Sequence, residues 1–207
     1  SDFTFDANLV EVAGGFTQLK ANLGQEWTQV GSSSTNFENV PDIFSLAVDP
    51  QANVFVGTRD ETNGNVDVFR STDNGTNWSK IADGANDITN NPIAITRIIS
   101  DNNNPANVYF IAFRGGPQAY DLYRYNSSNS PTLTLLRDSV NSFNSNMQYS
   151  DVATDSSNNV YLLNNNNVYK STDRGATWSK VGDQTTNFSS NATLSALRID
   201  SSDRIYA

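Results

Sequence analysis

The sequence predicts an all-β fold of many short antiparallel strands. Residues that favour turns and strands dominate its 207 positions, with 29 Asn, 24 Ser and 18 Thr against only 4 Glu and 4 Lys. Apolar residues come in short bursts, such as Phe44–Val48, Val54–Val56 and Val108–Ile111, and clusters of Asn, Asp, Gly and Pro separate these bursts. Short apolar runs between turn residues are typical of strands, and no stretch has the periodicity of a helix.

The predicted strands follow the same order in each unit of the chain. A first strand leads to an Asp-led turn and a second strand, as in the segments 48–56, 99–110, 153–162 and 199–207. A variable loop, a third strand, an Asp-Gly turn and a strand that begins near Trp complete the unit. This order predicts four antiparallel strands in each unit.

A repeat of about fifty residues is the most informative feature of the sequence. The segment Ser71–Lys80 returns as Ser171–Lys180, displaced by 100 positions, and a degenerate copy lies at Lys20–Gly31 around Trp27. A fourth and weaker unit fits at Leu122–Asn129, without the Trp. Four antiparallel strands repeated at this period are typical of the blades of a β-propeller.

The motif Ser-x-Asp-x-Gly-x-x-Trp occurs twice without a mismatch and resembles the Asp box, or BNR repeat. The matching residues are Ser71, Asp73, Gly75 and Trp78 in one copy and Ser171, Asp173, Gly175 and Trp178 in the other, with Trp27 in the degenerate third copy. The chain therefore resembles the Asp-box β-propellers, which include sialidases, sortilin-type receptors, xyloglucan-cleaving hydrolases and many secreted proteins without enzymatic activity. Because Asp can accept turn N–H groups, Gly relieves backbone strain and Trp buries a large ring, we expect a structural role for the motif.

The repeat divides the chain into three complete blades and two halves within one propeller domain, residues 1–207. The complete blades span about 42–83, 92–137 and 148–182, and the segments 1–31 and 194–207 each supply half of another blade. Pairing of the two halves would close a ring of about four four-stranded blades, with one blade split between the termini. Such a ring would hide the sheet edges that otherwise invite aggregation.

Two other arrangements stay open. The chain could be a section of a longer propeller, or its C-terminal half-blade could complete a neighbouring copy and so form a homo-oligomer through split blades. Leu9–Val12 looks like a strand beyond the two that the N-terminal half should supply. The chain also stops inside an apparent strand at Ala207, which favours something beyond one self-contained ring.

Composition excludes several classes of chemistry and of partner. With no Cys and no His, the chain has no disulfide, zinc–thiolate site, catalytic triad or imidazole base. A net charge of −9 disfavours nucleic acid and anionic membrane surfaces as partners. No apolar run approaches the roughly 20 residues of a membrane-spanning helix, and no basic-then-apolar leader opens the chain. The resemblance implies a secreted or cell-surface protein.

The resemblance to Asp-box propellers also implies a ligand face opposite the Asp boxes. That face is formed by the loops between second and third strands, here Thr58–Asn65, Arg114–Tyr120 and Leu163–Asn167, and by the polar loops that join the blades. Polar and aromatic side chains on loops around one axis suit a glycan or protein ligand. The candidate binding residues are Arg59, Asp60, Glu61, Arg114, Gln118 and Tyr120.

A catalytic role, as a relative of the sialidase-like glycoside hydrolases, is the main alternative. Such enzymes need an arginine cluster, a Tyr nucleophile backed by Glu and an Asp acid, and this sequence has no Arg-Ile-Pro motif near its start. Asp60 and Glu61 are sequence neighbours and are better explained as an exposed turn than as two facing carboxylates. We therefore assign no catalytic residue and expect a non-catalytic extracellular module for binding, adhesion or assembly, with carbohydrate as one ligand class.

The sequence predicts no cofactor. Turns rich in Asp and Asn could coordinate Ca²⁺ through oxygen, but the chain lacks the Asp-x-Asp-x-Asp-Gly-x5-Glu pattern. Asp101–Asn104 is better explained as a turn, so no residue is assigned to a metal.

Overall fold

The computed structural model describes residues 20–22, 27–29, 37, 41–60, 63–89, 91–101, 103–115, 120–128, 131–138, 149–183, 186–188 and 193–207. The described residues form sixteen strands and no helix, which confirms the predicted all-β class. The strands are β1 (Lys20–Asn22), β2 (Trp27–Gln29), β3 (Pro41–Val48), β4 (Val54–Asp60), β5 (Val66–Ser71), β6 (Ser79–Ala82), β7 (Ala94–Ser100), β8 (Asn107–Phe113), β9 (Tyr120–Asn126), β10 (Thr132–Asp138), β11 (Tyr149–Thr154), β12 (Val160–Asn164), β13 (Asn167–Ser171), β14 (Ser179–Gly182), β15 (Arg198–Ile199) and β16 (Ile205–Tyr206).

Most of these strands belong to three four-stranded antiparallel sheets. Sheet I consists of β3 to β6, sheet II of β7 to β10 and sheet III of β11 to β14, and each strand pairs with its neighbours in sequence. β1 and β2 form a separate N-terminal hairpin, and β15 and β16 form a separate C-terminal hairpin. The predicted unit of four antiparallel strands is therefore present three times.

The sheets follow one another in a row, with their first strands side by side. β7 lies against β3 and β4 of sheet I, β11 lies against β7 and β8 of sheet II, and β15 lies against β11. We call each contact between successive sheets a seam. Because sheet II has a neighbour on either side, its second strand, β8, is buried on both faces.

Successive residues of strand β8 are buried in two different seams. Val108 and Phe110 belong to the core between sheets I and II, whereas Tyr109 and Ile111 belong to the core between sheets II and III. All four side chains are buried, so the strand appears in the sequence as a continuous apolar run. Burial of each such side chain contributes roughly 1.5–3 kcal/mol to folding.

A bulge near the start of each first strand directs a polar side chain towards the next sheet. The register shifts just before Ser45 in β3, Arg97 in β7 and Asp151 in β11. Ser45 Oγ donates a hydrogen bond to the Ile95 carbonyl at 2.7 Å, and Arg97 Nε lies 2.6 Å from Asp151 Oδ1. Since bulges re-aim side chains, the same position links successive sheets in both seams.

Asp151 connects sheet II, sheet III and the C-terminal hairpin. The residue is buried and, besides its ion pair with Arg97, it accepts hydrogen bonds from the Leu197 backbone N–H at 3.0 Å and from Arg198 Nη1 at 2.5 Å. The Val152 N–H donates to Oδ1 at 2.9 Å. Both carboxylate oxygens are thus occupied, which compensates the burial of the charge.

The close approach of sheet II to sheet I requires a glycine at position 57 in β4. A Cβ atom on Gly57 would lie 2.5 Å from Ile95 Cβ and 2.7 Å from Ser45 Oγ. Ile95 Cβ is attached directly to the backbone of β7, so it cannot move aside without moving the strand. Any side chain at position 57 would therefore separate the two sheets.

The described strands near the two ends of the chain form two-stranded hairpins, whereas those between them form four-stranded sheets. Sheets I, II and III span 41–82, 94–138 and 149–182, against the expected blades 42–83, 92–137 and 148–182. The two terminal hairpins are separate sheets, and no ladder joins them in the part of the chain that the structure describes. Leu9–Val12 lies outside the described residues. The split blade, the number of blades and the closure of a propeller therefore stay predictions.

Replacement of Asp151 by Asn should lower the free energy of unfolding by about 2 kcal/mol, because it removes the charge of the buried carboxylate that holds the partly exposed side chains of Arg97 and Arg198. Chemical denaturation measures the change. The control is Lys180→Gln, which removes the more exposed ion pair between Lys180 and Asp183 and should cost less than about 1 kcal/mol. Equal losses in the two variants would contradict the central role of Asp151.

Gly57→Ala should destabilise the fold by about 1–3 kcal/mol, because the added methyl group overlaps Ile95 and Ser45. Thermal unfolding gives the comparison with Gly182→Ala. In that control the nearest atom, Cε2 of the Phe188 ring, lies 3.3 Å from the added Cβ, so the loss should be smaller. If Gly57→Ala melted at the same temperature as the wild type, sheets I and II would not be packed as closely as described.

Candidate functional site

The antiparallel order of the strands gives each sheet two different ends. Connections between first and second strands and between third and fourth strands lie at one end, which we call the turn end. Connections between second and third strands lie at the opposite end, which we call the loop end. The two Ser-x-Asp-x-Gly-x-x-Trp motifs are at the turn end, and the described candidate binding residues Arg59, Asp60, Arg114 and Tyr120 lie at the loop end.

At the loop end of sheet II an ion pair holds the candidate residue Arg114. Its Nε lies 3.2 Å from Asp121 Oδ2, and the Asp121 side chain is fully buried. Asp121 pairs with Ala112 in the ladder between β8 and β9, so the carboxylate has a fixed position. Only a small part of the Arg114 side chain is exposed to solvent.

Two aromatic rings lie on the other face of the same two strands, because successive side chains of a strand point to opposite faces. Phe113 and Tyr120 are directly paired across β8 and β9, with ring centroids 4.7 Å apart and planes inclined by 31°. Both rings are half-buried, and burial raises the pKa of the Tyr120 hydroxyl. The Ile93 N–H donates to the Phe113 carbonyl at 2.6 Å, and the Ile93 side chain is exposed. We call Phe113 and Tyr120 the aromatic patch.

The candidate residues of sheet I lie in a strand, which corrects the expectation of a loop from Thr58 onward. Thr58 and Arg59 pair with Asp67 and Val66 in the ladder, and the Asp60 N–H donates to the Asn65 carbonyl at 2.7 Å. Asp60 is buried, so the interpretation of this position as an exposed turn is wrong. The ladder continues because the backbone pairs regardless of side-chain polarity.

Glu61 and Gln118 lie outside the described residues, so their roles stay predictions. Sheet III contributes a shorter connection than the expected loop Leu163–Asn167. Only Asn165 and Asn166 lie between β12 and β13, and both have positive φ angles, 46° and 59°. Asn tolerates this conformation well, which explains a two-residue turn built without glycine.

The two motifs at the turn end form matching hydrogen-bond networks. In each, the Ser hydroxyl donates to the Asp carboxylate and accepts the Gly N–H at 2.7 Å, and the Asp carboxylate accepts an N–H four residues further on at 2.8 Å. Trp78 Nε1 donates to the Gly75 carbonyl at 2.9 Å, and Trp178 Nε1 to that of Gly175 at 3.0 Å. These contacts are local to the hairpin, which fits a structural element.

The networks change the acidity of their carboxylates. The hydroxyl and the N–H of Thr177, together with Ser171, hold the pKa of Asp173 down at about 2, against an ordinary value of 3.8. The backbone N–H and the side-chain amide of Asn77 lower the pKa of Asp73. Hydrogen bonds to the charged form favour that form, so both groups stay ionised over a wide pH range.

Three Asp carboxylates in turns likewise accept hydrogen bonds from nearby backbone N–H groups and side chains. In Asp49, Asp155 and Asp200, Oδ1 accepts the N–H groups two and four residues further on, and Oδ2 accepts a side-chain donor. Asp101 and Asn104 are joined by a turn hydrogen bond, as the sequence suggests. Among the described residues no group of three or more acidic side chains is placed to hold a metal ion.

Sequence reasoning missed several charged residues that hold elements together. Asp67 accepts the Gly84 N–H at 2.9 Å and lies 3.1 Å from Lys80 Nζ, which ties the start of β5 to the end of sheet I. Arg97 and Asp151 were also missed, although a signal exists. Each stands four residues before a turn Asp, as a polar residue near the start of an apolar strand.

Comparison with known proteins identifies similar folds. No protein-family model matches the chain, and no curated protein matches its sequence. The extracellular domain of a one-component system from B. thetaiotaomicron is similar, with 15% identity, a TM-score of 0.58 and coverage of 87% of this chain and 22% of that one. A GH74 xyloglucanase from Xanthomonas campestris is similar with 17% identity, a TM-score of 0.53 and coverage of 89% and 30%.

The chain therefore spans less than a third of the length of these structures. At such low identity the likeness shows a shared fold and nothing about the ligand. In the described part of the chain, the structure has no helix with the length and apolarity to span a membrane.

The low pKa of Asp173 gives a prediction about pH. Since the folded-state pKa lies below the ordinary value, the stability that this carboxylate contributes is present above pH ~4 and is lost as the pH falls towards ~2. Thr177→Val removes the hydroxyl donor and should raise the pKa of Asp173 towards 3.8. Titration of the carboxyl carbon by NMR measures both values. An unchanged Asp173 pKa in Thr177→Val would contradict the assigned cause.

Proposed function

We propose that this chain is part or all of a β-propeller that acts outside the cell as a non-catalytic binding module, with carbohydrate as the ligand class. The observation that carries this proposal is the aromatic patch at the loop end of sheet II. There the half-buried rings of Phe113 and Tyr120 lie side by side, with centroids 4.7 Å apart.

The propeller architecture is supported by the way in which the sheets repeat. Sheets I, II and III share one strand order, and equivalent first strands lie side by side along the row. The bulge position in β3, β7 and β11 makes a polar link to the next first strand each time. In a β-propeller, each four-stranded sheet packs on the next in the same way around a central channel, and the repeated contact described here agrees with that arrangement.

The chemistry of the aromatic patch suits a sugar. Phe113 and Tyr120 offer an apolar surface on which the carbon-bound hydrogens of a pyranose ring can lie. Arg114 lies at the same end of sheet II and supplies N–H donors for hydroxyl groups, and its ion pair with the buried Asp121 reduces the cost of ordering it on binding. One neighbour is by its name a xyloglucanase, which adds support for a polysaccharide ligand.

An extracellular location is supported by the nature of the neighbours. The structures from B. thetaiotaomicron are extracellular domains, and two crystal structures of this kind match with TM-scores of 0.58 and 0.59. The absence of Cys leaves the chain insensitive to the redox state of its compartment.

The module is proposed to be non-catalytic because two described carboxylates at the loop end have structural partners. Asp121 is paired with Arg114, and Asp67 is paired with Lys80. A glycoside hydrolase needs two carboxyl groups that face each other across the scissile bond, one of them with a raised pKa. A glycoside hydrolase that uses Glu61 is the competing function.

Isothermal titration calorimetry against xyloglucan oligosaccharides and a panel of other plant and bacterial glycans tests the ligand class. Tyr120→Ala should weaken binding of the recognised glycan roughly tenfold or more, because a stacking surface is lost. Val181→Ala, an exposed apolar position on the outer strand of sheet III, is the control and should bind as the wild type does. Equal affinity of wild type and Tyr120→Ala would refute the aromatic patch as the site.

Reducing-sugar release from the recognised glycan tests for catalysis. The wild-type chain should release no more sugar than the buffer does over long incubation. Release that disappears in Glu61→Gln would establish the competing function instead.

A further inference from the structure

The turn between the first and second strands is closed by the same backbone hydrogen bond in each sheet and in the C-terminal hairpin. The Asp that begins the turn donates its N–H to the carbonyl of the residue that ends the turn, at 3.0 or 3.1 Å. The pairs are Asp49–Asn53, Asp101–Asn107, Asp155–Asn159 and Asp200–Arg204. Three residues separate the partners in three of these turns, whereas five separate them in sheet II. We call residues 101–107 the long turn.

In the shorter turn of sheet III, the Asp carboxylate is bonded directly by two side chains. Asn159 Nδ2 donates to Asp155 Oδ2 at 2.7 Å, and the Tyr161 hydroxyl donates to the same oxygen at 3.0 Å. The C-terminal hairpin repeats this arrangement at the equivalent positions, with distances of 2.7 and 3.1 Å. A turn of this length therefore brings its last residue and the second-strand Tyr onto one carboxylate oxygen.

The equivalent side chains of the long turn do not bond to one another. Asp101, Asn107 and Tyr109 are all fully buried, at 0% exposure. Asp101 Oδ2, Asn107 Nδ2 and the Tyr109 hydroxyl have no group in hydrogen-bonding geometry within the described structure. Asp101 Oδ1 accepts two backbone N–H groups of its own turn, and Asn107 Oδ1 accepts a hydrogen bond from Asn126 Nδ2 at 2.7 Å. Three buried polar groups thus remain unbonded in sheet II, although their counterparts in sheet III bond directly.

The acidities of the two turn carboxylates agree with this difference. Burial raises the pKa of Asp101 above its ordinary value of 3.8, because only backbone hydrogen bonds and the charge of Arg174 oppose it. Burial also acts on Asp155, but there the hydrogen bonds from Asn159 and Tyr161 help to lower the pKa. Asp101 therefore lacks the side-chain donors that stabilise the charged form of its equivalent.

We propose that the long turn of sheet II encloses one internal water molecule, which hydrogen-bonds to Asp101 Oδ2, Asn107 Nδ2 and the Tyr109 hydroxyl. Water can donate to the carboxylate, accept from the amide and either donate to or accept from the hydroxyl, so one molecule satisfies all three groups. Buried water typically makes about three hydrogen bonds to polar groups that otherwise lack partners. This inference does not depend on the glycan proposed above.

The surroundings of the site favour a small neutral ligand over an ion. Burial and the charge of Asp101 raise the pKa of the Tyr109 hydroxyl to about 12, and the guanidinium groups of Arg124 and Arg174 oppose that rise. Positive charge near the site repels a cation, and Asn107 Nδ2 is a donor that cannot ligate one. The Asp101 carboxylate repels an anion. Because all three groups are fully buried, the ligand must also be small, and water meets each of these conditions.

The internal water explains how the long turn is accommodated beside sheet III. Asn103 Nδ2 donates to the Asp155 carbonyl at 3.1 Å, so the long turn makes a polar contact across the seam. An unbonded polar group in the interior costs the full loss of its hydration, and the water avoids this cost for the three groups beneath the turn. The turn can therefore be longer while the buried polar groups stay satisfied.

A crystal structure of the whole chain at high resolution tests the proposal directly. One water oxygen is expected within about 3.2 Å of all three groups. Direct hydrogen bonds from Asn107 and Tyr109 to Asp101 overturn the proposal, and so does a well-ordered long turn without that water. A metal ion, which would lie about 2.4 Å from its oxygen ligands, overturns it as well.

A matched pair of variants tests the proposal in solution. Tyr161→Phe removes a direct donor and should raise the pKa of Asp155, as measured by NMR titration of the carboxyl carbon. Tyr109→Phe should leave the pKa of Asp101 nearly unchanged, because the water still donates to that carboxylate. Circular dichroism confirms that both variants are folded. A rise for Asp101 as large as that for Asp155 would show a direct bond from Tyr109 and overturn the proposal.

A shortened turn gives the converse test. Replacement of residues 102–106 by Ser-Ser-Asn, the residues at 156–158 in sheet III, should bring Asn107 and Tyr109 onto Asp101. The pKa of Asp101 should then fall below its wild-type value, and the water should be lost from the crystal structure. A folded variant that keeps the wild-type pKa of Asp101 contradicts the role assigned to the length of the turn.

Discussion

The fold depends on the contact between the first strand of one sheet and the first strand of the next. At the bulge of each first strand a polar group crosses the seam: Ser45 to the Ile95 carbonyl, Arg97 to Asp151, and Asp151 to the Leu197 N–H. These bonds have defined lengths and directions, whereas apolar contacts alone would let the sheets slide. With the strands so fixed, the alternating side chains of the middle strands fall into cores on either side.

The two ends of each sheet then serve different purposes. At the turn end the two Ser-x-Asp-x-Gly-x-x-Trp motifs satisfy their polar groups within one hairpin, as the bonds among Ser71, Asp73 and Gly75 show. Such a hairpin keeps its geometry whatever surrounds it. At the loop end Arg114 depends on Asp121, a residue on the next strand, so its position varies with the length and composition of the connection. Function is easier to vary there without cost to the fold.

The sequence predicted the turns, because their geometry is set by hydrogen bonds between residues close together in the chain. Ser71 and Ser171 head turns that have the expected geometry, and the pair Asn165–Asn166 forms a turn between two strands as its composition suggests. The seams were not predicted, because the bond between Arg97 and Asp151 joins residues more than fifty positions apart. Sequence periodicity shows that β8 is buried on both faces but not which sheet each face meets. Phe113 was missed for a related reason: it ends an apolar run and therefore looks like core.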